Sequence, residues 1–311
     1  MKLLSTQIRT TIIDFFKKHG KKIIIILFVW GVILAINYFV GKIEDVPEIQ
    51  TNYKPHESVM ENGNVPTNLQ DPIEQLIGQF VENCNNKDYE AAYNLLTEDC
   101  KNNIYPDMEL FKQYVDSVFP SKKIYNIQNF SNKDNVYIYT VSILNDILAS
   151  GLNNEEDEKV YSEKYIIKEE NGQLKLSIRE YIGRQNLTYI YEDEYMKIKI
   201  ESVDIKYDNI TYNLNITNKS ENYIVYSDYS VDYEISLDTS EGLKRRADSV
   251  LEPIILDQLE SKNFSVKYTI FYDENTQIED MLFDYIRIYE NDESYENGEE
   301  PIDDFAIKIK F

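Results

Sequence analysis

Alternation of apolar and polar residues dominates the last third of the chain. Met196, Ile198 and Ile200 are separated by lysines, and comparable runs recur as far as Phe311. A period of two gives each strand one apolar face, which is typical of antiparallel sheets that pack on a shared core. About seven such strands, separated by turns rich in Asn, Ser and Asp, predict a β-sandwich domain over residues 188–311.

A helical pattern precedes these strands. Between residues 71 and 119 the apolar residues recur at spacings of three and four, which predicts three helices with one buried face each. Asp71 is expected to cap the first helix, with Pro72 at its first position and Glu74 completing a capping box. Asp88 is expected to cap the second helix, and the third is expected to follow Asp107.

The pattern returns to a period of two after Pro120. Residues 136–144 and 161–167 are rich in β-branched and aromatic residues, and residues 170–173 (Glu-Asn-Gly-Gln) predict a tight hairpin turn. Helices followed by an antiparallel sheet, and then by an all-β domain, predict the α+β class for the chain as a whole.

The order of these elements carries a family resemblance. A short polar turn precedes the second helix in the phrase FVENCNNKDYEAAYNLLTEDC, residues 80–100. Over residues 70–187 the chain resembles the NTF2-like family, which implies an α+β cone domain, assigned to residues 71–187. The resemblance implies no particular activity, because this fold hosts enzymes, ligand pockets and structural modules. Residues 188–311 are similar in architecture alone to the immunoglobulin fold, since its Cys pair and core Trp are missing.

An uncharged apolar stretch near the start of the chain predicts a transmembrane helix. It covers residues 23–40, from Ile23 through Trp30 to Val40. As a helix it extends about 27 Å, close to the hydrocarbon thickness of a bilayer. A cleaved signal peptide is the alternative, but its apolar region is about 7–15 residues long and ends at a small-residue site. Residues 37–42 contain no A-x-A pattern, which favours an uncleaved anchor.

The charges beside this stretch predict its orientation. Lys17, Lys18, Lys21 and Lys22 flank it within residues 1–22, which carry six basic residues against one acidic residue. Because positively charged flanks stay in the cytoplasm, we expect a single-pass protein of the cell membrane with the N-terminus cytoplasmic and the C-terminus extracellular. Residues 41–70 contain three prolines and no apolar period, which predicts a flexible stalk.

Net charge and residue types exclude several functions. The chain carries 55 acidic and 32 basic residues. Nucleic acid is bound by clustered Lys and Arg, so no nucleic-acid partner is expected. His19 and His56 are the only histidines and lie in the tail and the stalk, which excludes His-based catalysis and His-ligated zinc in the outer domains. We therefore expect no catalytic, cofactor-binding or metal-binding residue and no cofactor. Cys84 and Cys100 are expected to remain separate thiols, with Cys84 in the core.

Three functions are consistent with this organisation. The order of tail, span, stalk and outer domain resembles the VirB8-like and TcpC-like assembly proteins of bacterial conjugation, and also envelope proteins of Gram-positive bacteria. This resemblance implies a non-catalytic, membrane-anchored module that binds a protein or an envelope polymer outside the cell. The alternatives are a small-molecule receptor or enzyme that uses the interior of residues 71–187, and an envelope sensor. A filled interior favours the first function, whereas an open interior with a buried acid beside a tyrosine favours the second.

Overall fold

A computed structural model describes residues 65–145, 161–227, 235–248, 253–272, 274 and 276–311, together with the backbone of His56–Glu57. These residues belong to one compact unit, Pro55–Phe311. The predicted anchor at Ile23, Trp30 and Val40 and its flanking lysines lie outside the described residues. Within the described ranges, no helix is long and apolar enough to cross a membrane.

Four helices follow one another at the start of the described chain: α1 (Thr67–Asn85), α2 (Tyr89–Asn94), α3 (Glu98–Asn103) and α4 (Met108–Val118). Their buried residues pack into one core. As predicted, Asp88 caps α2 by accepting a hydrogen bond from the N–H of Ala91. Asp107 caps α4 in the same way through the N–H of Leu110. Both carboxylates satisfy N–H groups that the first turn of a helix leaves unpaired.

The start of α1 differs from the prediction. The helix begins at Thr67, directly after Pro66, so that Asp71 and Pro72 lie inside it and Asp71 is not its N-cap. Val65 is buried, and Leu69 packs against the same core. This apolar contact extends the helix about one turn beyond the capping signal, because tertiary packing contributes more to helix stability than local propensity.

The predicted second helix is divided in two by a contact with a strand. Leu96 forms a β-bridge with Leu176, and the N–H of Thr97 donates to the C=O of Leu176 over 2.8 Å. The hydroxyl of Thr97 then caps α3 by accepting a hydrogen bond from the N–H of Cys100. Leu96 is fully buried in the core shared by the helices and the sheet. Burial of this side chain therefore decides where the chain leaves the helix.

The helices lie in the sequence between the first and second strands of a five-stranded sheet, which has the order β1-β2-β3-β4-β5. Its strands are β1 (His56–Glu57), β2 (Lys123–Lys133), β3 (Val136–Asn145), β4 (Tyr161–Glu170) and β5 (Gln173–Ser177). Only the short pairing of β1 with β2 is parallel among these described strands. The predicted hairpin joins β4 to β5 through Asn171 and Gly172, both with positive φ (53° and 76°). Two positive φ angles define the turn that Asn-Gly favours.

The remaining strands form two further sheets. Their bounds are β6 (Tyr181–Glu192), β7 (Met196–Lys206), β8 (Ile210–Asn218), β9 (Tyr223–Ser227), β10 (Ile235–Thr239), β11 (Lys244–Arg246), β12 (Ile254–Leu256), β13 (Ser261–Tyr268), β14 (Ile278–Tyr289) and β15 (Asp303–Lys310), with a short helix α5 (Asp292–Glu296) before β15. One sheet has the order β13-β8-β7-β6; the other has the order β11-β10-β14-β9-β12, with β15 beside β14.

The inner faces of these two sheets share one core. Ile198 and Ile216 enter it from the four-stranded sheet, and Ile235, Phe283 and Ile307 enter it from the six-stranded sheet. Two antiparallel sheets on a common core form a β-sandwich, and the β-rich structure therefore fits the sandwich that the alternation predicts.

The predicted α+β class is wrong. Strands hold 52% of the described residues and helices 21%, so the structure is mostly β. Neither an α+β NTF2-like cone nor a transmembrane helix is shown for the described residues. The helical periodicity of the sequence is genuine but local: α2 and α3 have six residues each, whereas β2 and β3 have 11 and 10. The backbone between α2 and α3 bonds to β5 instead of continuing a helix.

Strand β6 connects the helical part to the sandwich. Tyr181, at its start, is buried in the first core, and Tyr191, near its end, packs against the sandwich core. The predicted domain boundary between residues 187 and 188 falls inside this strand. A small apolar cluster joins residues of both parts; it contains Val136, Ile138, Ile166 and Ile182, with Ile205, Tyr207 and Tyr272 packed against it.

Candidate functional site

A buried carboxylate in β4 marks the candidate site. Glu163 is only 4% exposed. It lies two residues before Tyr165, and Tyr165 is followed two residues later by Ile167. Since side chains alternate along a strand, all three point to the same face. Tyr165 and Ile167 belong to the core that the helices cover. The alternation in the sequence therefore carries Glu163 into that core.

Three donors surround this carboxylate. The hydroxyl of Tyr114, in α4, donates to Oε2 of Glu163 over 2.9 Å. The backbone N–H of Arg179 donates to Oε1, and the hydroxyl of Tyr161 also donates to the carboxylate. A buried charge is costly unless such hydrogen bonds compensate it. Glu163 thus links α4, β4 and the turn between β5 and β6.

The turn that supplies one of these donors has an unusual backbone. Arg179 and Glu180 both have positive φ angles, 57° and 61°, a region that non-glycine residues rarely occupy. The Arg179 guanidinium lies over the rings of Tyr105 and Tyr114, at 5.9 Å and 5.6 Å from their centroids. Cation–π contacts of this kind place a positive charge close to the buried carboxylate.

Burial dominates the electrostatics of the site. It raises the pKa of Glu163, while the hydrogen bonds from the Arg179 N–H and the two tyrosines oppose this shift. Burial also raises the pKa of Tyr114 well above its ordinary value, and the negative charge of Glu163 adds to the effect. Tyr114 therefore remains a neutral O–H donor. A carboxyl with a raised pKa beside a neutral tyrosine could exchange a proton with a bound molecule.

Aromatic rings fill the interior around this carboxylate. Phe80 contacts Tyr165 edge to face, with 5.7 Å between ring centroids, and lies 6.4 Å from Phe111. Tyr105 in turn packs edge to face on Phe111 at 5.5 Å. All four side chains are at most 2% exposed. The core that Glu163 enters is therefore packed with aromatic rings.

The two cysteines lie in the same core but take no part in this site. Cys84 and Cys100 are both buried and both free, which confirms the prediction of separate thiols. Burial raises the pKa of each thiol, that of Cys100 to about 11. Thiols with raised pKa values are poor nucleophiles. Among the described residues, no group of three or more His, Cys, Asp and Glu side chains could hold a metal ion.

A second feature is an acidic groove on the surface. It has a volume of about 520 Å³ and is lined by Asp71, Glu74 and Glu82 of α1 and by Tyr125 of β2, among others. Tyr125 is 38% exposed. Burial raises the pKa of Glu74, and the nearby charge of Asp71 raises it further. A groove with three carboxylates and one exposed aromatic ring is suited to a positively charged partner.

The sequence analysis identified neither Glu163 nor the acidic groove as a functional site. The sequence predicts no catalytic, cofactor or metal residue, and the residues it does single out, Ile23, Trp30, Val40 and the lysines before them, lie outside the described chain. The alternation around residues 161–167 is the signal that could have indicated Glu163 as an inward-facing acid. No family model, no curated protein sequence and no solved structure matches this chain.

Proposed function

We propose that this protein is a non-catalytic binding and assembly module of the bacterial cell envelope, held in the membrane by residues 23–40. In this proposal the N-terminal tail is cytoplasmic and residues 41–311 are extracellular. The sandwich serves as an immunoglobulin-like module, and the partner is a protein or an envelope polymer. The similarity in element order to conjugation assembly proteins and Gram-positive envelope proteins supports the same role.

The filled interior around Glu163 carries the proposal. Phe80 contacts both Phe111 and Tyr165 in the core that Glu163 enters, and three donors already satisfy the carboxylate. Recognition would then take place on the surface. The acidic groove beside Tyr125 is the surface that we select for it, because exposed aromatic side chains are frequent anchors in protein interfaces.

One observation favours a second function. A fully buried acid beside a tyrosine is the arrangement expected of a small-molecule receptor or enzyme, and Glu163 and Tyr114 are 2.9 Å apart. In this alternative the rings around Glu163 move aside to admit the ligand. An envelope sensor has no comparable structural support among the described residues.

Crosslinking in the native membrane separates the two functions. A photoreactive residue at Tyr125 should capture one recurrent partner outside the cell, and the charge reversal Glu74→Lys together with Glu82→Lys should abolish that capture. A photoreactive residue at Tyr272, in the sandwich, serves as the control position. Capture that survives the charge reversal contradicts the groove as the binding surface. A small molecule that co-purifies with the full chain in native mass spectrometry, and that Glu163→Gln releases, supports the receptor instead.

A further inference from the structure

The last strand of the chain forms one edge of the six-stranded sheet. Asp280 of β14 pairs with Asp238 of β10 on one side and with Lys310 of β15 on the other. Strand β15 pairs with no described strand except β14. It has eight residues and contains no proline. An uninterrupted edge of this length is a template for pairing with a further strand.

The outer side of β15 carries unpaired backbone groups. The N–H of Phe311 donates to the C=O of Glu279 over 2.8 Å. Because the backbone groups of successive residues point to opposite sides of a strand, those of Ala306, Lys308 and Lys310 point away from β14. None of these three N–H groups has a hydrogen-bond partner among the described residues. The edge can therefore accept another strand without losing a bond to β14.

The exposed side chains of β15 run from acidic to basic. Asp304 lies near its start and Lys310 at its end, on the same exposed face. Neither has an ion-pair partner within the described part of the chain. Lys308 is engaged, because its ammonium reaches back across the sheet to Asp280 at 2.7 Å and to Asp238 at 3.4 Å. One negative and one positive charge thus remain available along the edge.

A second copy of β15 complements this order of charges. Antiparallel pairing reverses the second strand, so the acidic start of one copy meets the basic end of the other. With Ile307 of both copies on the two-fold axis, Asp304 of each copy lies opposite Lys310 of the other. Ala306 then lies opposite Lys308, and its small side chain leaves Lys308 room to keep its contacts within the sheet.

The opposite edge of the sheet does not offer this match. Strand β11 has three residues, and all of them are basic: Lys244, Arg245 and Arg246. A second copy of β11 would bring like charges together, which destabilises a pair of strands. The order of charges therefore favours β15 as the edge that pairs with itself.

We propose that two copies of this chain pair antiparallel through β15, which joins their six-stranded sheets across a two-fold axis at Ile307. The interface is isologous, because the same patch serves both copies. It does not involve the acidic groove beside Tyr125, so either proposal can fail without the other.

Sedimentation velocity of the full chain in detergent measures this self-association. The parent chain should form a dimer at concentrations up to about 100 µM. Lys310→Asp should weaken the dimer at least about tenfold, because it replaces two attractive pairs by two repulsive ones. Asp304→Lys should do the same. A parent chain that remains monomeric, or a dimer that Lys310→Asp leaves unchanged, overturns the proposal.

A charge exchange separates specific pairing from a general loss of structure. The double variant Asp304→Lys/Lys310→Asp restores opposite charges across the interface and should dimerise like the parent chain. Lys267→Asp, at an exposed lysine on β13 of the other sheet, is the matched control and should leave the dimer unchanged. A double variant that stays monomeric overturns the pairing of Asp304 with Lys310.

Ala306→Pro tests the backbone contribution. Proline removes an N–H that points away from β14, and an edge strand tolerates it at such a position. The variant should keep the circular dichroism spectrum of the parent chain and weaken the dimer at least about tenfold. A folded variant that dimerises like the parent chain contradicts pairing through this edge. Should Ala306→Pro fail to fold, the charge exchange still decides.

Discussion

Asp99 of α3 accepts a hydrogen bond from the backbone N–H of Arg184 in β6, with 2.9 Å between Oδ2 and N. The contact passes directly over Gly183. A Cβ atom at this position would lie 2.6 Å from Oδ2 of Asp99 and 3.3 Å from Nζ of Lys168. The ammonium of Lys168 is itself held by the C=O of Ile182. Glycine is therefore required here by the close approach of two elements.

Gly183→Ala should destabilise the protein. The methyl group would displace Asp99 from the Arg184 N–H, and an overpacked site of this kind costs about 1–3 kcal/mol in the free energy of unfolding. Urea denaturation of the full chain in detergent measures this change in the free energy of unfolding.

Gly78→Ala is the matched control, and this substitution is expected to raise the free energy of unfolding instead of lowering it. The nearest atom to its new Cβ would be the Tyr125 hydroxyl, at 2.9 Å. That hydroxyl ends a partly exposed side chain that can swing aside. Replacing glycine by alanine inside a helix stabilises by about 0.8–1 kcal/mol. Equal effects at Gly183 and Gly78 would contradict the close approach at Gly183.

Glu163→Gln should remove a pH dependence of stability. Burial raises the pKa of Glu163 in the folded protein above the ordinary value of 4.5, so the folded state holds this proton more tightly than the unfolded state. The free energy of unfolding therefore falls as the pH rises from about 4.5 through the raised pKa, and this contribution is constant above it. In the glutamine variant the fall should be absent.

Thermal unfolding over a series of pH values measures this difference. Glu109→Gln, an exposed glutamate on α4, is the control and should keep the pH profile of the parent protein. A Glu163→Gln profile parallel to that of the parent would show that the buried carboxylate holds no extra proton in the folded state.

Substitutions at three predicted capping positions test whether α1 begins where the structure places it or where the sequence pattern predicts it. Asp88→Ala and Asp107→Ala should each lower the free energy of unfolding by about 1 kcal/mol, because each removes a side-chain acceptor from the first turn of a helix. Asp71→Ala should have an effect within about 0.5 kcal/mol, since Asp71 lies inside α1. A loss at Asp71 as large as that at Asp88 would place the start of α1 where the capping signal predicts it.

Both cysteine thiols should be unreactive in the folded protein. Burial raises the pKa of Cys100 to about 11 and raises that of Cys84 as well. At pH 8 a thiol reagent such as 5,5′-dithiobis(2-nitrobenzoate) should modify neither residue within the time in which it modifies glutathione. In urea without reductant it should modify both, as measured by absorbance and intact mass. If the reagent modifies neither cysteine in urea, the two residues form a disulfide instead.

The alternation of apolar and polar residues predicted the sandwich because the apolar positions of each strand are the buried ones. Ile198, Leu214 and Phe283 are at most 1% exposed, and each lies on the inner face of its strand. The tight turn at Asn171 and Gly172 was predictable for a similar reason, since positive φ angles depend on the residue itself. Local chemistry was sufficient for these elements.

Other features depend on contacts that are distant in the sequence. Leu96 leaves the helical conformation because Leu176, 80 residues later, offers a β-bridge. Glu163 is buried because Tyr114 and Arg179 supply donors from two other elements. A charged residue in an apolar strand is usually interpreted as solvent-facing, and the alternation of Glu163 with Tyr165 and Ile167 is the one local sign that it faces inward. The overall class was mispredicted for the same reason, as contacts with the sheet shortened the helices.

Strand β6 links the helical part and the sandwich mechanically. A force that pulls the sandwich away from the helical half acts along the continuous backbone of this strand. The pairing of β6 with β7 bears this load in shear, so several hydrogen bonds resist at once. Asp99 ties the same strand to α3. A force that separates the sandwich from the helical half is therefore opposed by this contact as well as by the β6–β7 pairing.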